Sequence, residues 1–318
     1  MSAFDFVFVN NIQGLREYLE LGDVNVINER GLSLLHYAIL FNNSEIFDLL
    51  LENYINVDIK DSFGNTPSHY CVINNRMGFL KTLIRHNSNL SIKNNYGRTP
   101  LYLACLLGRE KMVSLLLETL KFDILEEDIK KETLFMALVR SRNLDLLKKV
   151  VVTDSIINKP NYLGETPLHI AAKTGDLEVV RYLIKNKAFI NSKNKMKETP
   201  LFYAVSGLNM DIVSLLLENG ACIDCKSAFG DNIFDIIPGN NMDYLKELII
   251  RYKADEYKND YPLHYAILIE NFNLVLKNAV IRNINRKDPF GFTPMDLAIK
   301  MNNERIIDAI KKVKNYNI

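Results

Sequence analysis

Gly164-Glu165-Thr166-Pro167-Leu168-His169-Ile170-Ala171-Ala172 is the stretch that decides how this chain folds. Thr166 can accept from free backbone amides as a helix N-cap. Pro167 then sits at the first helical position, where it costs no hydrogen bond and presets φ. Leu168, Ala171 and Ala172 make a short apolar face with small residues, so a neighbour can pack closely. Gly175-Asp176 breaks the chain and restarts it, and Val179, Val180, Leu183 and Ile184 place an apolar stripe on a second helix. Asn186-Lys187-Ala188 closes that helix. A sister segment closes with Asn219-Gly220-Ala221, which puts glycine where φ must be positive. A short extended piece and a turn such as Asp61-Ser62-Phe63-Gly64 complete the unit with a β-hairpin signature.

The phrase returns as Gly64-Asn65-Thr66-Pro67, Gly97-Arg98-Thr99-Pro100-Leu101, Glu198-Thr199-Pro200-Leu201, Tyr261-Pro262-Leu263-His264 and Gly291-Phe292-Thr293-Pro294. Aligned on the proline position, the anchors are Leu34, Pro67, Pro100, Thr133, Pro167, Pro200, Ile233, Pro262 and Pro294. Their spacings are 33, 33, 33, 34, 33, 33, 29 and 32 residues. A fixed period of this size marks stacked repeats. One more helix pair, Phe4–Val9 and Ile12–Leu21, precedes the first anchor, and Gly22-Asp23-Val24-Asn25 matches the end of a unit.

In this pattern, a turn plus two helices with a Thr-Pro-Leu-His phrase, the chain resembles the ankyrin-repeat family along essentially its whole length. Thr166–Ala172 and Val213–Ala221 match best. The resemblance implies an all-α solenoid with short β-hairpin turns and about ten helix-turn-helix units. The expected organisation is a single array over 1–318, with a cap unit at 1–30, internal repeats over 31–290 and a second cap at 291–318. Irregularities are expected near 124–133 and 233–262. Lys130-Lys131-Glu132-Thr133 lacks both the turn glycine and the proline. Pro238-Gly239 should end its helix early. The 29-residue spacing predicts a truncated hairpin near Asp255–Asn259. The polar residues Glu304, Arg305, Asp308, Lys311, Lys312 and Lys314 suit the last helix, Ile306–Val313, to a capping role. Some viral ankyrin proteins carry a C-terminal F-box-like segment, and none is expected here.

Composition excludes several functions. The chain has 318 residues, 39 basic and 38 acidic, with a net charge of +1. No basic field is available for a phosphate backbone, so nucleic acid is a poor partner. Apolar runs fall far short of about 18 residues, so no membrane span is expected. No signal peptide is read in MSAFDFVFVNNIQG. Four cysteines in this length do not make a disulfide framework, which points to a reducing cytosol. For a viral protein or a secreted effector that would be the host's cytosol. Richness in Asn, Ile and Lys with no Trp hints at an AT-rich genome.

Catalytic and metal chemistry find little support. His36, His69, His169 and His264 all stand fourth in the Thr-Pro-Leu-His phrase. Repeats would hold them about 10 Å apart, too far to share one metal. The resemblance implies hydrogen bonds within and between repeats for them instead. His86 should lie exposed at a helix end. Cys222-Ile223-Asp224-Cys225 lacks the second pair that zinc needs. On an extended arm the two side chains should point to different faces, with an adventitious disulfide as the lesser alternative. Cys71 and Cys105 take small-residue core positions. Glu126-Glu127-Asp128 reads as a solvated hairpin tip. No phosphate-binding loop and no nucleophile elbow appears. No catalytic residue, metal or cofactor is expected.

The residue before each turn glycine has no packing role to fix it. Those positions hold Arg30, Phe63, Tyr96, Ile129, Leu163, Met196, Phe229 and Phe290, with Tyr162 alongside. Leu40, Phe41, Ile73, Leu106 and Leu107 sit at the ends of first helices. Apolar rows on exposed turns are unexpected on a lone surface, and Tyr and Phe are enriched at interface cores. An apolar groove centred on Phe63, Tyr96 and Leu107 is therefore the expected partner site. The alternative is that each ring lies flat on the next hairpin. Three functions stay open. The first is a monomeric protein–protein interaction module, an adaptor or inhibitor of viral or bacterial origin acting on host proteins. The second is a regulatory or immunity protein for a partner from the same organism. The third is a small-ligand or redox sensor using Cys222 and Cys225.

Overall fold

Each Thr-Pro step of the sequence starts a helix. Thr66, Thr99, Thr166, Thr199 and Thr293 stand in extended conformation, and the proline after each is the first helical residue. Ser33 and Thr133 cap helices that lack the proline. The computed structural model of the chain describes residues 2–119, 123–150, 152–233, 235–237, 241, 244, 247, 252–289 and 291–315. Among these residues the regular structure is helical, with only two isolated bridges, Ile27 to Ser33 and Glu127 to Thr133, in place of sheet. The chain falls into two compact units, one ending at Phe189 and the other beginning at Ile190.

The first unit contains α1 (Ala3–Phe8), α2 (Ile12–Leu19), α3 (Leu34–Phe41), α4 (Ser44–Glu52), α5 (Pro67–Ile73), α6 (Met77–Arg85), α7 (Pro100–Leu106) and α8 (Glu110–Thr119). It continues with α9 (Leu134–Arg140), α10 (Leu144–Lys148), α11 (Asp154–Ile157), α12 (Pro167–Thr174) and α13 (Leu177–Lys185). The first helices of successive repeats pack side by side in the order α1, α3, α5, α7, α9, α12. Each also packs on the second helix of its own repeat. The core follows from that stacking, since Leu34, Leu35, Val72, Tyr102, Phe135 and Leu168 are fully buried. Second helices touch through pairs such as Phe47 and Phe79, whose rings stack at 4.4 Å.

The second unit contains α14 (Pro200–Ser206), α15 (Met210–Glu218), α16 (Ala254–Asp260), α17 (Pro262–Leu268), α18 (Phe272–Asn278), α19 (Ile281–Ile284), α20 (Pro294–Lys300) and α21 (Glu304–Asn315). Here α14 packs on α15, α17 on α16, α18 and α20, and α20 on α21.

Several expectations need correction. The fourth anchor is Leu134, because Thr133 is the N-cap and its Oγ1 accepts from Met136 at 3.2 Å. The spacings there are thus 34 then 33. Lys131, at φ 55°, occupies the turn-glycine position. The tip residue of that hairpin is therefore Lys130, and Ile129 stands one step earlier. Asp255–Asn259 forms part of helix α16 and no hairpin. The shortened spacing leaves no residues for a turn, and α16 runs straight into α17 through Tyr261, which caps both. Pro238-Gly239 lies outside the described residues. Cys222 and Cys225 do not diverge. They are the first and last residues of a turn, with Cα atoms 5.5 Å apart and sulfurs joined. A turn returns positions i and i+3 to one side, whereas a strand would have separated them.

Candidate functional site

The hairpins are set by a residue that the sequence pattern alone did not single out. Three places before the left-handed turn residue of six hairpins stands Asn28, Asp61, Asn94, Asp128, Asn161 or Asn194. Its Oδ1 accepts from the amides two and four residues on. Asp61 takes Phe63 at 2.9 Å and Asn65 at 2.7 Å, and Asn161 takes Leu163 and Glu165, both at 2.9 Å. Such a side chain builds the turn by itself. The signal was available as an Asn or Asp recurring with the repeat period. Asp128 shows what it does to a carboxylate. The expected solvated tip is in fact buried, accepting from Lys130 and Glu132 amides and from the Arg98 guanidinium at 2.9 Å. Glu126 and Glu127 are paired with Lys93 and Lys159.

Neighbouring hairpins are then tied by a backbone ladder. Ser62 donates to the Arg30 carbonyl, Asn95 to Phe63, Ile129 to Tyr96 and Tyr162 to Lys130, at 2.8–3.1 Å. In the second unit Ala228 donates to Met196 at 2.7 Å. These bonds use the backbone of the tip residues and leave their side chains facing outward. Phe63 is 54% exposed, Tyr96 48% and Phe229 77%. Tyr162, Leu163, Ile129 and Met196 are similarly open. Each ring of the first unit's tips is about half exposed. Tyr96 is steadied by Arg98, whose guanidinium lies 5.8 Å from its ring and 5.4 Å from that of Tyr102.

The helix ends supply a second row. Phe41, Ile73 and Leu107 are exposed, as are Phe8 and Val9 of α1 and its C-cap, which the sequence pattern had not placed in this row. Leu106 is only half-exposed, since Leu107 takes the outward step after it. Phe8 and Phe41 meet edge to face at 5.2 Å across the first two repeats. Phe290 lies outside the described residues. The two rows share one face in the first unit. Arg140, at the end of α9, reaches back to Glu132 at the hairpin base, with nitrogen–oxygen distances of 2.5 and 3.2 Å. That pairing holds the guanidinium charged, its pKa raised first by the Glu132 hydrogen bond.

The phrase histidines hydrogen-bond within and between repeats. Nδ1 of His36, His69 and His169 accepts from the amide of its own N-cap residue at 3.0–3.1 Å. Nε2 of His36, His69 and His264 faces the carbonyls of Asn65, Arg98 and Phe292 in the next hairpin at 2.9–3.2 Å. With Nδ1 accepting, the proton belongs on Nε2, and the ring is neutral. Burial pushes His36 and His69 down to about 4. His86 is exposed. Cys71 and Cys105 are buried, and burial pushes the Cys105 thiol up to about 12. Among the described residues no three His, Cys, Asp or Glu side chains gather as a metal site, and no helix is long and apolar enough to cross a membrane.

The geometry defines a class: stacked two-helix repeats with linked hairpin tips. A family model described as ankyrin repeats (3 copies) matches residues 35–128 and again 134–227. That is more than half of the chain, which therefore belongs to the ankyrin-repeat family. The crystal structure of the human ASB11 ankyrin repeat domain is similar over 65% of this chain and 93% of that one, with a TM-score of 0.55 and 20% identity. At that identity the likeness shows the fold alone. No curated protein matches the sequence significantly.

Proposed function

We propose that this chain acts as a protein-binding adaptor or inhibitor through the tip and helix-end rows of its first unit, without catalysis of its own. Ankyrin repeats are general protein–protein interaction modules. The observation that carries the reading here is the half-exposed apolar series at Phe63, Tyr96 and Leu107, with Phe41 and Ile73 beside them. Aromatic anchors in such a patch contribute a large share of binding energy, on the order of 1–2 kcal/mol each. Immobilised chain should capture a protein whose affinity falls at least about tenfold for Phe63→Ala/Tyr96→Ala/Leu107→Ala. The melting temperature of that variant should stay close to wild type. Undiminished binding, or a variant that fails to fold, would overturn this placement. A second reading, redox sensing, is favoured by the joined sulfurs of Cys222 and Cys225.

A further inference from the structure

The apolar rows are only part of the chemistry of this face. At the hairpin tips and helix ends of the first unit stand the cations Arg30, Lys130, Lys131, Arg142 and Lys173, besides Arg140, whose charge Glu132 balances. The same positions hold one carboxylate, Glu29. The whole chain is balanced, with 39 basic and 38 acidic residues, so the excess is local. Other acids near the tips are already engaged. Asp61 and Asp128 hold turns, Glu132 holds Arg140, and Glu126 and Glu127 hold lysines of neighbouring hairpins. Lys130, Lys131, Arg142 and Lys173 are exposed.

The two chemistries are also separated along the unit. Helix ends run apolar through Phe8, Phe41, Ile73 and Leu107, then turn basic at Arg140 and Arg142 and at Lys173. Tips share this order only in their middle stretch, with Phe63 and Tyr96 before Lys130 and Lys131; Arg30 precedes them and the apolar Tyr162 and Leu163 follow. Arg142 is fixed by donating to the Thr174 carbonyl, which ties the basic end of α9 to that of α12. An apolar floor followed by a cationic one is complementary to a segment of opposite pattern.

We infer that the partner of this face is an acidic, aromatic- or aliphatic-anchored protein segment, its apolar side chains seated over α1 to α7 and its carboxylates over Lys130, Lys131, Arg142 and Lys173. The inference rests on the binding reading above and adds the partner's chemistry and register. A nucleic acid would satisfy the cations and leave Phe8, Phe41, Ile73 and Leu107 facing a phosphate backbone.

The test is selection of a phage-displayed random 16-residue peptide library on the full chain, followed by affinities of the enriched peptides. Enriched sequences should combine Phe, Leu, Ile or Tyr with an excess of Asp and Glu. Their affinity should fall at least about tenfold between 50 and 500 mM salt, since exposed charges are screened. Lys130→Glu/Lys131→Glu should cost about tenfold, as should Lys173→Glu at a separate site, with circular dichroism unchanged. Peptides without an acidic excess, or affinity indifferent to both charge reversals, would overturn the inference and leave the binding reading standing. Peptides whose binding survives Phe63→Ala/Tyr96→Ala/Leu107→Ala would overturn both. Competition by a 20-nucleotide oligo(dT) at comparable affinity would replace the protein segment with a nucleic acid.

Discussion

At the scale of the residue, the most constrained group is the phrase histidine. His36 and His69 are fully buried, accept from their own N-cap amide and face the next hairpin's carbonyl through Nε2. Protonation at Nδ1 would turn that acceptor into a second donor facing an N–H. Burial, the largest cause, holds both pKa values near 4, below the ordinary 6.5. An unfolded chain therefore binds more protons than the native one between about pH 6.5 and 4, so stability rises with pH across that window. The contribution should be complete above about pH 6.5 and decline as pH falls toward 4, by roughly 1.4 kcal/mol per histidine for each pH unit crossed. Urea unfolding at pH 7, 5.5 and 4.5 measures this, and His69→Gln should flatten the dependence. A curve indifferent to pH in that range would mean the imidazoles are solvated. The phrase made these histidines legible, because Thr-Pro-Leu-His states the cap, the first turn and the ring together. Asn28, Asp61, Asn94 and Asn161 were not legible in the same way. A polar residue in a loop invites the reading of solvent, and only the hydrogen-bond pattern reveals that its side chain builds the turn.

At the scale of the element, sequence served well wherever a cap and an apolar stripe coincided. α12 and α13 lie where Thr166-Pro167 and Val179–Ile184 put them. It failed where the period was compressed or interrupted. Asp255–Asn259 became helix because the chain between repeats was too short to fold back on itself, and Tyr257 is buried with its hydroxyl donating to Asp288 at 2.8 Å. The Cys222–Cys225 segment failed for a different reason. Its position after a helix suggested an extended arm, whereas Cys222 is pinned by its amide to Asn191 Oδ1 at 2.8 Å and the chain turns immediately. Equivalent turns at Asn56, Asn89 and Phe189 carry the same amide-to-Asx bond and no cysteine pair. The backbone of this turn is thus already specified, and the disulfide adds only loop-closure stabilisation. For so short a loop that is at most about 2 kcal/mol. Reducing the pair with dithiothreitol should lower stability in urea by no more than this. Cys222→Ser/Cys225→Ser should match the reduced protein and ignore the reductant. Wild-type protein that ignores dithiothreitol as well would show that the sulfurs do not pair in solution.

At the scale of the whole molecule, the repeats of the first unit form a chain of nearest-neighbour contacts. α9 touches α7 on one side and α12 on the other, and α1 packs on α2 and α3. The exposed face was legible as a row, because tips recur with the period. Its basic part was less so, because Lys130 counts as a tip residue only once the left-handed conformation of Lys131 is seen. Arrays of this kind derive stability from each repeat and each interface, so a lesion should weaken its neighbours first. Phe135 in α9 is fully buried and tests this. Phe135→Leu keeps an apolar side chain and loses volume, at a cost of roughly 1–2 kcal/mol. Hydrogen exchange should then accelerate in α7, α9 and α12 by about tenfold or more, while amides of α3 slow enough to measure change little. Equal acceleration throughout α3, α5, α7, α9 and α12 would instead mean that the first unit opens in one cooperative step. In that case a partner bound over α1 to α7 would stabilise α12 as strongly as the helices it touches. If neighbours respond first, protection on binding should fade beyond the helices contacted, and exchange measured on the complex would map the partner's footprint repeat by repeat.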